Sequence, residues 1–266
     1  MRLNTQVAVI TGGVSGMGLA VAEALVKKGW FVALLDVNRE AGKKAVNKLG
    51  PFAQFIKTDV TKYAEQAAAF ESIFEVSKRI DFVFANAGIA GRADFYDRAS
   101  QWPPAPPSFL TEEIGLRGAV LTSYLAMHYM RRNQSPGGVI VATASAASIY
   151  ASPELPLYAA AKHGVLGFVR SVSEGLSREN IRVNAILPGA IQTSLHSQDT
   201  WSQFPAQDFT PVEEVVNAVL GLVTDGQANG RALEISAGEV FDRKQPEYCN
   251  ETMSRIMRGK SYSKEP

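Results

Sequence analysis

The feature that most restricts this chain is a regular alternation of two residue patterns. Short apolar runs rich in β-branched and aromatic residues recur at Val7 to Ile10, Phe31 to Leu35, Phe52 to Ile56, Phe82 to Ala85, Val139 to Ala142, Ile181 to Ile186 and Ala232 to Ile235. Between most of them lie longer segments with apolar residues three and four apart, such as Leu19, Ala22, Leu25 and Val26, or Ala67, Phe70, Ile73, Phe74 and Val76. That is the period of a helix with one buried face. The short runs are too apolar to present a wet face, so they predict a parallel sheet covered by helices on both sides. The expected fold class is α/β, a single doubly wound parallel sheet of about seven strands.

A chain of 266 residues suits one such unit, since single α/β layer structures run to about 250 residues. Residues 1–240 are expected to form the domain. Residues 241–266 turn polar, mixed in charge and aperiodic, which predicts a C-terminal tail lying as a surface arm or partly disordered. A formal net charge of +1 gives no field to attract a polyanion or an anionic bilayer, so nucleic acid and membrane are not expected partners. The single cysteine, Cys249, makes no internal disulfide and has no His or Cys at ligand spacing, so no metal site is expected. With neither a signal-like N-terminus nor an apolar stretch of spanning length, the protein is expected in the cytoplasm.

Two segments break the rhythm. Ile89 to Ser108 carries Trp102 and a proline cluster that no helix or central strand can accommodate. Gln192 to Phe209 carries Leu195, His196, Trp201, Phe204 and Phe209 among polar residues. Long irregular loops in a compact domain are usually functional.

The first strand ends in Thr11, Gly12, Gly13, Val14, Ser15, Gly16, Met17, Gly18, directly before an amphipathic helix. Gly12 permits the tight turn, while Gly16 and Gly18 remove side chains that would keep a diphosphate from the helix N-terminus, where free N–H groups attract anions. Asp36, at the end of the second run, is placed to accept hydrogen bonds from the adenosine ribose hydroxyls and to repel a 2′-phosphate. NAD is therefore expected rather than NADP, with Arg39 the nearest residue that argues otherwise. Asp59 and Val60 follow the third run, and Asn86, Ala87 and Gly88 the fourth. Pro188, Gly189, Ile191 and Thr193 follow the sixth. In an open parallel sheet these strand ends meet at one crevice, the expected cofactor site of a Rossmann-type fold.

Ser145 follows the fifth run, and Tyr158 and Lys162 stand at i and i+4 on a helix expected over Leu157 to Ser177, so both point from one face. A Tyr and a Lys four apart are more often a surface pair; the surrounding signals give this pair a different meaning. An ammonium about 5 Å from a phenol favours the phenolate by roughly 3 kcal/mol at an effective dielectric near 20, about 2 pKa units. Tyr158 is thus expected to transfer a proton, with Ser145 holding the substrate oxygen. Trp102, His196 and Trp201 are the expected substrate contacts beside Ser145. Their loops offer few cations, which favours a bulky, mostly apolar alcohol or ketone, such as a ring-containing secondary metabolite, a steroid-like compound or a lipid, over a phosphorylated sugar.

The TGGVSGMG turn, Asp36, the Asn86-Ala87-Gly88 triplet, Ser145, the YAAAK segment from Tyr158 to Lys162 and Pro188-Gly189 together resemble the short-chain dehydrogenase/reductase family. YAAAKHGVLGFVRS and RVNAILPG look most like NAD-dependent members similar to 15-hydroxyprostaglandin dehydrogenase. The resemblance implies Tyr158 as acid/base, Lys162 binding the nicotinamide ribose and lowering the Tyr pKa, and Ser145 orienting the substrate oxygen. It also implies a homodimer or homotetramer packed through the long helices near Leu110 to Met130 and Leu157 to Ser177. One departure stands out: the N-L-x-G segment of the family reads Gly115, Leu116, Arg117, Gly118 here, which puts the helix kink and a relay water in doubt. That loss is the one feature favouring an alternative, an NAD(H)-binding sensor or scaffold without turnover.

Overall fold

The computed structural model describes residues 5–91, 95–96, 98, 102–193, 201–202 and 204–258. Eight strands form one sheet: β1 (Val7–Thr11), β2 (Phe31–Asp36), β3 (Ala53–Lys57), β4 (Phe82–Ala85), β5 (Gly138–Thr143), β6 (Ile181–Pro188), β7 (Ala232–Ser236) and β8 (Glu239–Asp242). Their order is β3-β2-β1-β4-β5-β6-β7-β8. Seven strands run parallel and β8 pairs antiparallel with β7. The expected doubly wound sheet is therefore present, with one short edge strand added.

The central strands are buried on both faces, and every residue of β1 and β4 is buried, which is why they read as unbroken apolar runs. Alternate side chains feed two cores. Val7 and Val9 join Phe70, Ile73, Met130 and Val165 on one face; Ala8 and Ile10 join Val21, Leu25, Val215 and Val219 on the other. The first face is covered by α3 (Tyr63–Ser77), α5 (Ala119–Met130) and α6 (Pro156–Gly175), the second by α1 (Gly16–Lys27), α2 (Arg39–Leu49) and α7 (Val212–Thr224). Before α5 lie a short α4 (Leu110–Glu112) and a π-helical segment, Glu113–Gly118. α7 ends against Arg182, whose guanidinium donates to the carbonyls of Leu222, Val223 and Ala228 at 2.8–2.9 Å and so satisfies a helix C-terminus.

Local departures from the predicted elements have local causes. Phe52 lies in a one-turn 3₁₀ segment, Gly50–Phe52, started by Pro51, and β3 begins only at Ala53. Val76 continues the α3 period but is exposed. β7 and β8 are joined by Ala237 and Gly238, both at positive φ (48° and 85°), the conformation of a two-residue hairpin turn. The Ala237 N–H donates to Thr210 Oγ1 at 2.9 Å, which helps hold a residue poorly suited to that region. The boundary expected at 240 thus falls inside β8, and the chain beyond it forms α8 (Glu251–Met257). Among the described residues, no helix is long and apolar enough to cross a membrane.

Phe70 is fully buried beside Tyr129, ring centroids 5.8 Å apart. Phe70→Ala should lower unfolding free energy in urea by about 3–5 kcal/mol; a loss below about 1 kcal/mol would contradict this account of the core.

Candidate active site

At the carboxyl edge of the sheet the first turn leaves β1 through Gly12, at φ 62°, where a Cβ would stand 3.0 Å from Ala87 Cα. A Cβ on Gly18 would come within 2.2 Å of the Gly12 carbonyl oxygen. Only glycine allows the start of α1 to pack this closely on the strand end, and the helix N-terminus then faces the crevice.

Asn86 ties the neighbouring strand ends together. Its Nδ2 donates to the carbonyls of Thr11 and Gly12, both at 3.3 Å, and its Oδ1 accepts from Thr143 Oγ1 at 3.0 Å. Thr11 Oγ1 in turn accepts the N–H groups of Asn86 and Ala87 at 3.0 and 3.2 Å. The carbonyl of the same Thr143 accepts from Lys162 Nζ at 2.6 Å. One set of bonds therefore joins the glycine turn, β4, β5 and α6.

Lys162 is 3% exposed, and burial brings its ammonium down to about 8. Its Nζ lies 5.6 Å from the centroid of the Tyr158 ring. Tyr158 shows a correction to the electrostatic expectation. Burial pushes the phenol above its ordinary value, and the neighbouring Ser145 hydroxyl pulls it the other way. Desolvation acts on both members of the pair and leads for the phenol, which outweighs the attraction that charge spacing alone predicts.

Ser145 caps a 3₁₀ turn, Ala146–Ser148. Its Oγ accepts the Ala147 N–H at 3.2 Å, while Ser148 Oγ accepts the Ser145 N–H at 3.1 Å and donates to the Lys162 carbonyl at 2.8 Å. On the opposite wall β6 ends at Pro188, and Thr193 reaches the glycine turn, 3.1 Å from where a Gly16 Cβ would stand. The Thr193 carbonyl accepts the Trp201 indole N–H at 2.7 Å, and Trp201 packs with Phe204 and Phe209, each ring centroid 5.7 Å away.

A cleft of about 550 Å³ joins these groups, within the range of cofactor pockets. Of the residues expected there, Gly12, Ser15, Gly16, Met17, Asp36, Asp59, Val60, Asn86, Tyr158, Lys162, Pro188, Ile191, Thr193 and Trp201 line it. Ser145 follows the lining residue Ala144 directly. Asp36 Oδ1 accepts the Asn38 N–H at 3.0 Å, which orients the carboxylate at the end of β2. Asp59 accepts from both the N–H and the hydroxyl of Thr61, and the Thr61 hydroxyl leads in holding its carboxyl below the usual value. Trp102 is 85% exposed and not among the lining residues; His196 lies outside the described residues. Arg39 is exposed at the first turn of α2.

The cleft also takes in residues that the sequence reading passed over, among them Val37, Asn38, Thr58, Ile114 and Thr143. The first three directly follow a predicted strand end, a signal available in the sequence. Ile114 comes from the π-helical segment, which also contains Gly115. The distortion in doubt at that position is thus present without an asparagine, and a Cβ on the buried Gly115 would meet nothing within 4 Å.

The Lys162 shift predicts a pH-dependent stability. The folded chain holds this proton with a value of about 8 against 10.5 for the free group, so stability rises with pH between those values. Below the lower value the buried charge costs the folded state about 3 kcal/mol relative to a neutral amine. Lys162→Met should therefore gain most in Tm, relative to wild type, near neutral pH, with the difference shrinking toward pH 10.5. A pH-independent difference would contradict this.

Comparisons with known proteins show the family. Residues 6–203 match the family model of the short chain dehydrogenases. The short-chain dehydrogenase/reductase prx7 of Penicillium rubens is 40% identical over 91% of this chain and 95% of its own length. The 15-hydroxyprostaglandin dehydrogenase (NAD+) of Homo sapiens is 29% identical over 90% and 94% of the two chains. Among solved structures, levodione reductase superposes with a TM-score of 0.76 at 31% identity, covering 89% of this chain and 98% of that one. The chain belongs to the short-chain dehydrogenase/reductase family, oxidoreductases that bind a nicotinamide cofactor.

Proposed function

We propose that this protein is an NAD-dependent oxidoreductase that interconverts a secondary alcohol and a ketone on a bulky, mostly apolar substrate. The observation that carries the reading is a single cleft with Asp36 at one end and Tyr158 with Lys162 at the other, Ser145 standing beside the phenol. The residues fit a dinucleotide: the glycine cradle leaves room where side chains would block it, and the N-terminus of α1 suits a diphosphate. Gly12, Ser15, Gly16 and Met17 would hold the diphosphate, Asp36 the adenosine ribose, Asp59 and Val60, after the outer strand β3, the adenosine end beyond it, and Asn86 the middle of the cofactor. Pro188, Ile191 and Thr193 would border the nicotinamide. When bound, the nicotinamide supplies the group that accepts or gives hydride.

Tyr158 Oη takes the hydroxyl proton in the oxidation direction and returns one in reduction. Lys162, fixed by Thr143, steadies the phenolate while charged and holds the nicotinamide ribose. Ser145 donates to the substrate oxygen. A carboxylate at Asp36 disfavours a 2′-phosphate, and the relative named for NAD+ supports that choice of cofactor. Trp201, Ile191 and Ile114 make the cleft apolar, and among its described lining residues Lys162 is the sole cation; both features support an uncharged small molecule as substrate. The assembly is read as a homodimer or homotetramer, formed in the cytoplasm through the long helices, where Leu110 and Tyr124 are exposed.

Two measurements test the reading. Tyr158→Phe should bind NAD as wild type does and lose about 10³-fold or more in oxidation of a panel of hydrophobic secondary alcohols; undiminished turnover would remove Tyr158 from the chemistry. Asp36→Ala should shrink a wild-type preference for NAD over NADP by about tenfold or more, and a wild-type enzyme preferring NADP would refute the assignment of Asp36.

A further inference from the structure

The Ser145 turn is tethered to the rest of the protein in two directions. Toward the sheet edge, the Tyr150 hydroxyl accepts from Arg243 Nη2 at 2.9 Å and donates to the Glu234 carboxylate at 3.4 Å; Arg243 also pairs with Glu234. Toward α6, the side chain of Ser148 provides the tether. Ser148 is 2% exposed, and its Oγ is used twice, accepting from the Ser145 N–H and donating to the Lys162 carbonyl. Ala146 and Ala147, the turn's other residues, have no side-chain group that could replace it. One hydroxyl thus bridges the backbones of two residues to which the proposed reaction assigns roles.

We infer that Ser148 is a positioning residue for the reaction, fixing the Ser145 turn relative to the turn of α6 that carries Tyr158 and Lys162. The inference rests on the function proposed above. Ser145 and Ser148 form the two halves of a capping box, so the turn that orients the Ser145 hydroxyl is closed by Ser148. Removing the Ser148 hydroxyl leaves a buried N–H at Ser145 without its acceptor and frees the turn from α6, while the Tyr150 tether to the sheet remains. The Ser145 hydroxyl then drifts from the phenol whose ionised form it favours. Among the described residues lining the cleft, the other ionisable groups are Lys162 on the same helix and Asp36 and Asp59 at the ends of β2 and β3. The substitution changes none of these side chains, and at Lys162 it removes the bond to the backbone carbonyl only.

The test compares Ser148→Ala, Ser148→Thr, Tyr150→Phe and Ser145→Ala in NAD-dependent oxidation of a hydrophobic secondary alcohol, with NAD affinity and Tm measured for each. Ser148→Ala should lose about tenfold or more in kcat with NAD affinity within about twofold of wild type. Its rise of kcat/KM with pH, which reports the free enzyme, where the wild-type Ser145 hydroxyl faces the phenol, should move about half a unit or more to the alkaline side. Ser148→Thr, which keeps the hydroxyl, should restore the wild-type profile. Tyr150→Phe should lower Tm and leave the pH profile in place. A wild-type kcat and pH profile in Ser148→Ala, with Ser145→Ala inactive, would overturn this inference alone. A fully active Ser145→Ala would overturn the proposed role of Ser145 and this inference with it. Should Ser148→Ala fail to fold, Ser148→Cys carries the same test: an alkaline shift supports the positioning role, and an unshifted profile refutes it.

Discussion

One buried cation organises this end of the molecule. An ammonium removed from water is costly, and Lys162 offsets part of that cost by donating to the carbonyl of Thr143 at the end of β5. Thr143 is held by Asn86, and Asn86 by the glycine turn at the end of β1. The position of the lysine therefore depends on the register of parallel strands that the core holds in place. Packing energy spread over Phe70, Ile73, Val9 and their neighbours becomes geometric precision at a few polar atoms.

The sheet order explains why the groups meet. The chain runs outward from β1 to β3, returns to place β4 on the other side of β1, and continues to β7. That reversal opens a crevice between the loops after β1 and β4, the usual place for a ligand in a doubly wound sheet. Gly12 and Asn86 stand there. Asp36 lies on one side of it, and Thr143 with α6 on the other, so a long molecule laid across the crevice meets both.

Much of this was legible because parallel strands buried on both faces must be almost wholly apolar, and because tight strand-to-helix turns demand glycine. Gly12, Gly16, Asp36 and Asn86 were readable for those reasons. What escaped the reading was set by contacts between distant segments. The hairpin into β8 rests partly on Thr210 supporting Ala237, a residue that would not by itself suggest a turn. The π-helical segment that brings Ile114 to the cleft has no side-chain pattern of its own. Ser148 resembles any small residue in a turn until α6 is packed beside it. The direction of the Tyr158 shift likewise depends on desolvation, which residue spacing does not encode.

The central claim is that the dinucleotide lies across the crevice with its reactive ring beside Tyr158 and the buried Lys162. A crystal structure of the NADH complex tests it most directly. The account predicts the adenosine ribose hydrogen-bonded to the Asp36 carboxylate, the diphosphate over the N-terminus of α1, and the nicotinamide next to Tyr158 and Lys162. A cofactor bound in the reverse sense, or with its nicotinamide remote from Tyr158, would contradict it.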